Sequence, residues 1–451
     1  MSPEWVSILA LIALFVVGTL LPINMGALAF VAAWLVGMYS LNLEEKEIIG
    51  GISGDLVLTL VGVTYLFAIA KNNGTVDLIV RAAVRAVGGR VALIPWVMFG
   101  VTALLTAIGA ASPAACAIIG PIALGFAGRY KINPLMMGMF VVHGAQAGGF
   151  SPISIYGVIT NSVMKENKLP VDEMTIFLSS LFFNLAIAVV LFFVLGGREL
   201  SSRRISNDEH DEREELDAEF PSGGTSPSSP QGGVMTQTRG TGTGTGTGVA
   251  QKVGVDQVVT LVAFIAVAVV SLAFDRNIGF TAITAAVLLA CLFPSAQKNA
   301  VQQIAWSTVL LVAGVSTFAT ILSTAGTPEY VGNWAAGFST ALLGALILCY
   351  VGGVISAFAS STALLPIIIP IAIPLIAHGD LSAVAVVAAL AVASTIVDVS
   401  PFSTNGALMV ANRPDTIDEE KFYKQILGYS AIVVLVGPLL VWAAIVVPGW
   451  V

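Results

Sequence analysis

Ala110-Ala-Ser-Pro-Ala-Ala-Cys-Ala-Ile-Ile-Gly-Pro-Ile-Ala123 recurs in the second half of the chain as Ala359-Ser-Ser-Thr-Ala-Leu-Leu-Pro-Ile-Ile-Ile-Pro-Ile-Ala372. Ser112 falls on Ser361, Ala114 on Ala363, Ile118 on Ile367, Ile119 on Ile368 and Pro121 on Pro370, without a gap. The same offset lays Ser151-Pro-Ile-Ser-Ile-Tyr-Gly157 on Ser400-Pro-Phe-Ser-Thr-Asn-Gly406, matching Ser151 with Ser400, Pro152 with Pro401, Ser154 with Ser403 and Gly157 with Gly406. Upstream the register slips by a few residues and the echo persists: Asn24-Met-Gly26 answers Asn277-Ile-Gly279, and Gly62-Val-Thr64 answers Gly314-Val-Ser316. Chance alignment of Ala/Gly-rich sequence would match the common residues and not the Ser and Pro positions, so the chain is read as an internal duplication.

Composition places both copies in a membrane. With 56% hydrophobic and 10% charged residues, and a mean hydropathy of +0.90, the chain lacks the polar surface of a soluble domain. The formal charge of −7 is local, because residues 208 to 219 alone carry eight acids against Arg213. The remainder is neutral and offers no basic patch for nucleic acid. Cys116, Cys291 and Cys349 lie in apolar segments without CxxC spacing, which implies neither a disulfide nor a metal framework. The first apolar run, from about Val6 to Leu21, has no basic flank and reads as a retained span rather than a cleaved signal.

A span needs ~20 mostly apolar residues. By that rule the first half predicts spans near 5–22, 26–41, 55–71, 134–163 and 174–196, and the second half near 255–274, 278–294, 303–324, 382–411 and 427–449. Between the third and fourth span of each half runs one long apolar stretch, 91–128 and 339–377, with the Ser motif at its middle. Each is a pair of spans or a hairpin that enters and returns. With one hairpin per half, the cations from Lys71 to Arg90, Arg129 and Lys131, Arg198 to Arg204, Lys298, and Arg413 to Lys424 all fall on one side. Lysine and arginine mark the cytoplasmic side. Five spans per half is an odd number, so the second copy is inserted upside down, the inverted repeat of secondary transporters. The expected fold class is therefore an all-α polytopic membrane protein of two inverted repeats. Each repeat has about five transmembrane helices, one re-entrant hairpin and one broken helix. The expected domains are a first repeat over 1–197, a disordered cytoplasmic linker over 198–253 and a second repeat over 254–451. Both termini would lie outside, with the protein in the cell inner membrane. The linker's acidic run and its Thr241-Gly-Thr-Gly-Thr-Gly-Thr-Gly248 tract have no means of building a core. Asp77, Arg81 and Arg85 recur every four residues among apolar neighbours, predicting an amphipathic arm along the interface.

Irregular backbone at membrane depth is tolerated only where it lines a cavity or is buried in protein, since it bares N–H and C=O groups. Two such breaks are predicted. Gly148-Gly149 and Pro152 interrupt one span, and Pro401 interrupts the other within Asp398-Val-Ser-Pro-Phe-Ser-Thr-Asn-Gly406. Helix ends at tips and breaks carry about half a positive charge and hold carboxylates. The candidate substrate residues are accordingly Ser112, Pro113, Ser361 and Thr362 at the tips, and Gln146, Ser151, Ser154, Ser400, Ser403, Thr404 and Asn405 at the breaks. Carbonyls and hydroxyls are also hard ligands, which makes Ser112, Gly149, Ser360, Ser361 and Asp398 the candidate cation site. Asp398 is the only acid deep in a span, where it costs ~2.5–3.5 kcal/mol on insertion scales. It is a cation ligand, a proton carrier or a cap on the broken helix. His143 is a substrate or proton group, or a hydrogen-bonded structural residue, and Tyr156 is read as packing. No Lys or Arg sits within the spans, so an anion would be neutralised by dipoles, hydroxyls and a co-bound cation.

These residues resemble the divalent anion/sodium symporter group of the ion-transporter superfamily, which pairs re-entrant hairpins ending in Ser-Asn-Thr with broken helices. Ser360-Ser361-Thr362 follows that motif with Ser in place of Asn, and Ala111-Ser112-Pro113 follows it less closely. More of the first half is similar to the malonate/dicarboxylate carrier (MatC) family, through Pro22-Ile-Asn-Met-Gly-Ala-Leu-Ala-Phe30, Leu58-Thr-Leu-Val-Gly-Val-Thr-Tyr-Leu-Phe-Ala-Ile-Ala70, Leu93-Ile-Pro-Trp-Val-Met-Phe99 and His143-Gly-Ala-Gln-Ala-Gly-Gly-Phe-Ser-Pro-Ile-Ser-Ile-Tyr-Gly157. The resemblance implies uptake of malonate or a related small dicarboxylate anion by an elevator-type homodimer. Its coupling ion would be Na+ or H+, and no other cofactor is implied. Within transport the alternative is a cation/proton antiporter exchanging at Asp398, although the counterpart of Asp398 at position 149 is Gly. An intramembrane enzyme using Ser, His143 and Asp398 would leave the duplication of the Ser motifs without a use.

Overall fold

The computed structural model describes residues 2–21, 23–86, 90–201, 203, 253–274, 276–336, 340–358, 360–379, 381–414 and 416–449. Among them are twenty α-helices and no strand. The first repeat runs α1 (Pro3–Leu20), α2 (Met25–Ser40), α3 (Glu45–Gly50), α4 (Gly54–Asn72), α5 (Thr75–Ala86), α6 (Leu93–Ala107), α7 (Ser112–Arg129), α8 (Pro134–Gly148), α9 (Ile155–Glu166), α10 (Glu173–Val194) and the short α11 (Gly197–Leu200). The second runs α12 (Val255–Ala273), α13 (Ile278–Leu292), α14 (Trp306–Thr324), α15 (Thr327–Ala336), α16 (Ala341–Ser356), α17 (Ser361–Gly379), α18 (Ala383–Ile396), α19 (Thr404–Ala411) and α20 (Glu419–Ile445). Seven of these helices are long and apolar enough to cross a membrane; α6, α16 and α18 are among the shorter apolar ones. The chain is a multi-pass membrane protein. Most of the expected linker lies outside the described residues. Where its first residues are described, they still pack: Leu200 is buried at the end of α11.

The helix starts are legible in their caps. Asn24 accepts from the Gly26 N–H at 2.8 Å, and its counterpart Asn277 accepts from Phe280 at 3.1 Å. Asn133 ahead of α8 and Ser382 ahead of α18 do the same for their helices. Each cap satisfies donors that lipid would leave bare.

Packing repeats under exchange of the halves. α2 lies on α14 and α4 on α13; α1 lies on α15 and α5 on α12; α7 lies on α19 and α17 on α9; α8 lies on α20 and α18 on α10. Each of these pairs has its mate under that exchange. The first pair meets backbone to backbone: a Cβ at Gly314 would strike the Gly26 carbonyl. Its mate crosses likewise, since a Cβ at Gly62 would lie 2.6 Å from the Gly279 carbonyl. Small residues let membrane helices approach this closely, where dispersion and not water exclusion holds them. The echo of Asn24-Met-Gly26 in Asn277-Ile-Gly279 is thus the repeat of one helix crossing.

Burial divides the helices. Every residue of α8 after Pro134 is buried, and so is all of α18 except Val384. By contrast α1 exposes Trp5, Leu9, Ile12 and Val16, and α12 exposes Val258, Val262 and Ile265. Rows of large apolar side chains facing outward mark helices that lie against lipid. The stretches 91–128 and 339–377 are two-helix hairpins. The first turns at Gly109, whose φ of 111° suits glycine. α5 carries its apolar side inward at Val76 and Val80 and exposes Asp77, the amphipathic arm read from the spacing.

Candidate functional site

The two breaks fold by one recipe. In each, the first Ser carbonyl accepts the second Ser hydroxyl, Ser154 to Ser151 at 2.7 Å and Ser403 to Ser400 at 2.7 Å. A Cβ at Gly157 would strike the Ser151 carbonyl, and one at Gly406 would strike the Ser400 carbonyl. The Ser-Pro-x-Ser-x-x-Gly pattern therefore encodes a tight turn that re-starts a helix, α9 in one half and α19 in the other. Ser154 also donates to the Gly149 carbonyl, and Ser400 Oγ accepts from the Phe402 N–H at 3.2 Å. Ser151 Oγ is spent on the Ala107 carbonyl at the end of α6, 2.7 Å away. These four serines build and anchor the turns, and none lines the cavity described next.

That cavity, of about 520 Å³, lies where the tips and breaks converge. Ser112, Pro113 and Ala114 of α7 line it, as do Ser360 and Thr362 at the start of α17, Ile155 and Tyr156 of α9, and Thr404 of α19. These are the first turns of four helices, each preceded by the turn that the repeat duplicates. Asp398 and Gly149 complete this wall. The other wall, which sequence reasoning did not assign to the site, comes from the starts of α2 and α14: Asn24, Ser307 and Thr308. The signal for it was present in the echo of Asn24 in Asn277. Asn24 holds the two helices in register by donating to the Ser307 carbonyl at 3.1 Å. Among the described residues no lysine, arginine or histidine lines the cavity.

Ser112, Pro113, Gly149, Ser360, Thr362, Asp398 and Thr404 are brought together on the cavity wall; Ser361, Asn405, Gln146 and His143 do not line it. Ser361 Oγ shares a hydrogen bond with Ser356 Oγ at 2.7 Å and donates to the Ser394 carbonyl at 3.2 Å, tying the hairpin tip to α18. Asn405 Nδ2 donates both to Ser112 Oγ and to Asp398 Oδ2, each at 2.8 Å. Asp398 also faces the Asn405 N–H and the Ser403 hydroxyl at the start of α19. His143 lies away from the cavity, with Nδ1 2.8 Å from Asn184 Oδ1 and Nε2 2.6 Å from Tyr429 Oη. Asn184 is on α10 and Tyr429 on α20, so this buried network fastens the two repeats together. Both ring nitrogens of His143 are thus engaged with other helices, and the residue does not line the cavity. Gln146 is fully buried beside it in α8, its backbone carbonyl bonded to Ser180 at 3.1 Å.

The two tip hydroxyls predict different failures. Thr362→Ala should weaken substrate affinity, raising KM several-fold with the melting temperature unchanged. Ser361→Ala should instead lower the melting temperature, because the Ser394 carbonyl loses its side-chain donor at a cost of ~1–3 kcal/mol. Parallel uptake and thermal-unfolding curves check this, and an identical effect of the two substitutions would reject the division.

A duplicated helical membrane protein whose broken helices meet hairpin tips around an internal cavity is a secondary transporter. Residues 1–149 match the family model for the N-terminus of the dicarboxylate carrier protein MatC, and residues 261–449 match the citrate transporter family model. No curated protein matches the chain by sequence. The crystal structure of the Alcanivorax borkumensis YdaH transporter, described as revealing an unusual topology, is similar in fold. It is 12% identical, with 89% of this chain and 88% of that chain covered at a TM-score of 0.56. The chain is thus similar over its first third to the dicarboxylate carrier and over much of its second half to the citrate transporters, and it is a carrier protein, not an enzyme.

Proposed function

We propose that this carrier takes up malonate or a related short dicarboxylate, coupled to Na+ or H+, by an elevator-type movement in a homodimer. One observation carries the substrate class: four helix N-termini converge on a cavity that, among the described residues, no basic side chain lines. Each N-terminus supplies about half a positive charge, so the four together offer about two, the charge of a dicarboxylate. Dipoles fixed by the fold bind a doubly charged anion without a buried lysine or arginine, which would cost ~2.5–3.5 kcal/mol at the membrane centre. Asp398 in the same wall supplies a place for the coupling cation.

The moving body is α6 to α10 with α16 to α20, knitted by the tips, the breaks and the His143 network. The frame is α1, α2, α4 and α12 to α14, knitted by the glycine crossings. Direct polar ties across the seam include Ser53 Oγ to Glu166 Oε1 at 2.5 Å and Ser162 Oγ to Asp55 Oδ2 at 3.4 Å. The cavity-side frame residues are the starts of α2 and α14, which the charge distribution puts toward the cytoplasm, so this arrangement is the inward-facing one. The same distribution favours both termini outside and the linker 198–253, as a tether between domains 1–197 and 254–451, in the cytoplasm of a bacterial-type inner membrane.

Uptake of radiolabelled malonate, succinate and citrate into proteoliposomes, under an inward Na+ gradient, an inward H+ gradient or neither, tests the reading. Accumulation of a dicarboxylate under one gradient alone is expected and names the ion. Absence of accumulation of all three, with Na+/H+ exchange in the same vesicles, would replace symport by the antiporter reading.

A further inference from the structure

A second cavity, of about 600 Å³, lies at the end of the molecule where α7 passes into α8 and α10 into α11. Its floor is apolar, with Ile132, Leu200 and Phe422 buried beneath it. Its rim is cationic. Lys131 comes from the turn between α7 and α8, Arg203 from the segment after α11, and Lys421 from the first turn of α20 in the other repeat; all three are exposed. Arg203 donates from Nη1 to the Lys131 carbonyl at 3.4 Å, which holds its guanidinium at the rim. Lys131 closes α7 in the left-handed conformation, with φ 49° and the Ile132 N–H on the Ala127 carbonyl at 2.9 Å. Glycine is the usual residue at such a closure, so a lysine there sets a charge on the rim at a cost to the backbone. Glu199 and Asp418 share the rim, and Asp418 is engaged as the cap of α20, accepting from the Lys421 N–H at 2.7 Å.

The same corner occurs inverted in the second repeat and shows which of these features belong to the fold. Asn133 caps α8 and Ser382 caps α18; Asp418 caps α20 and Asp172 caps α10, each Asp accepting from the N–H three residues on. In that register Lys131 answers Asp380 and Lys421 answers Thr175. The caps are kept and the cations are not. Lys131 and Lys421 are therefore no part of the recipe that folds the corner, and they make one face of the molecule basic where the other is not.

The cavity stands at headgroup depth. α10 has 22 residues, about 33 Å at ~1.5 Å each, close to the ~30 Å thickness of the hydrocarbon core. Leu195 and Gly196, which follow it directly, line the cavity, while Phe193 and Val194 just before them are exposed. Arg198 lies over the Phe193 ring at 5.1 Å, as an interfacial cation lies along an aromatic face. An anionic headgroup in the cavity would have its acyl chains beside Phe193 and Val194. An acidic peptide in its place would leave that apolar surface uncovered.

We propose that this cavity binds the phosphodiester headgroup of an anionic phospholipid, held by Lys131, Arg203 and Lys421. Basic pockets between membrane helices on the cytoplasmic side hold such headgroups. A headgroup there ties the first repeat to the second at the cation-rich face. The inference stands apart from the transport reading, because binding is counted without substrate. Native mass spectrometry of the purified full-length protein, delipidated in neutral detergent and titrated with phosphatidylglycerol, phosphatidylcholine or inorganic phosphate, tests it. One phosphatidylglycerol per chain is expected to bind more tightly than either of the other two. Lys131→Gln, Arg203→Gln and Lys421→Gln should each weaken it about fivefold, the worth of one cation beside an anionic surface. Lys298→Gln removes an exposed cation from the same face outside the cavity and should leave the affinity unchanged. Equal binding of the two lipids, or an equal loss in Lys298→Gln and the rim variants, overturns the proposal. Inorganic phosphate binding as tightly as phosphatidylglycerol overturns it too, since the site would then take free phosphate. So does absence of lipid binding in the wild type, the result expected if the acids from Asp208 to Glu219, which begin five residues beyond Arg203, fill the cavity themselves. The three rim cations are exposed, so the variants should elute as the wild type does; where one does not, the other two decide.

Discussion

Gly26→Val and Gly314→Val are each expected to prevent the frame from assembling, so that the protein is recovered aggregated or not at all. At this crossing the groups in contact are backbone, not side-chain ends. A Cβ on Gly26 would run into the Leu310 carbonyl and the Leu311 Cα, and one on Gly314 into the Gly26 carbonyl. Rotamer changes offer no relief, so α2 and α14 must separate. Ordinary overpacking costs ~1–3 kcal/mol, and a forced helix separation lies at or beyond the top of that range. A loss of ~3 kcal/mol or more lowers the folded-to-unfolded ratio more than a hundred-fold, a large share of total stabilities of ~5–15 kcal/mol. Gly100→Val and Gly125→Val are the controls, because a Cβ at either position meets nothing within 4 Å. Size-exclusion profiles of the four variants in detergent give the answer. Equal recovery of all four would mean that the crossing is not a structural requirement.

That crossing also shows what a single sequence discloses. The echo of Asn24-Met-Gly26 in Asn277-Ile-Gly279, and of Gly62-Val-Thr64 in Gly314-Val-Ser316, was visible, and so was the duplication that required it. Which glycine faces which was not visible. Gly26 meets Gly314 and Gly62 meets Gly279, an exchange between repeats that only the folded inversion produces. The breaks were legible because Pro and paired Gly leave no helical alternative. The hairpins were legible only as overlong apolar stretches, since periodicity does not say whether a second arm crosses or returns.

The site divided along the same line. Of the residues chosen at tips and breaks, Ser112, Gly149, Ser360, Thr362 and Thr404 line the cavity. Other hydroxyl residues of the same set are turned to backbone, because a buried hydroxyl takes whatever carbonyl is nearest. Ser151, Ser154, Ser361 and Ser403 are engaged with Ala107, Gly149 and Ser151, Ser394, and Ser400, respectively. His143 reads from sequence as a proton group, yet Asn184 and Tyr429, its partners from two other helices, lie 41 and 286 residues away. Partners so remote in sequence leave no local pattern to find. Likewise Tyr156 reads as packing until its counterpart Asn405 is seen bridging Ser112 to Asp398.

Asp398→Asn is expected to abolish gradient-driven accumulation while leaving the protein at least as stable as the wild type. The substitution keeps the size of the side chain and an oxygen that accepts from Asn405 Nδ2 and from the start of α19. A cap therefore survives it, whereas a charge does not. Placing a carboxylate at membrane depth costs ~2.5–3.5 kcal/mol on insertion scales, so removing the charge relieves a strain on the fold. Loss of function with retained or raised thermal stability is the signature of a group kept for binding at the expense of stability. Asp398→Ala should lose transport equally but also melt lower, because Asn405 Nδ2 is then left with Ser112 alone. Uptake and unfolding curves for the two variants separate the roles. Full accumulation by Asp398→Asn would make Asp398 a helix cap and remove the only carboxylate from the coupling step. A lowered melting temperature for the same variant, with transport gone, would instead show that the charge holds the fold together and that its loss from transport is indirect.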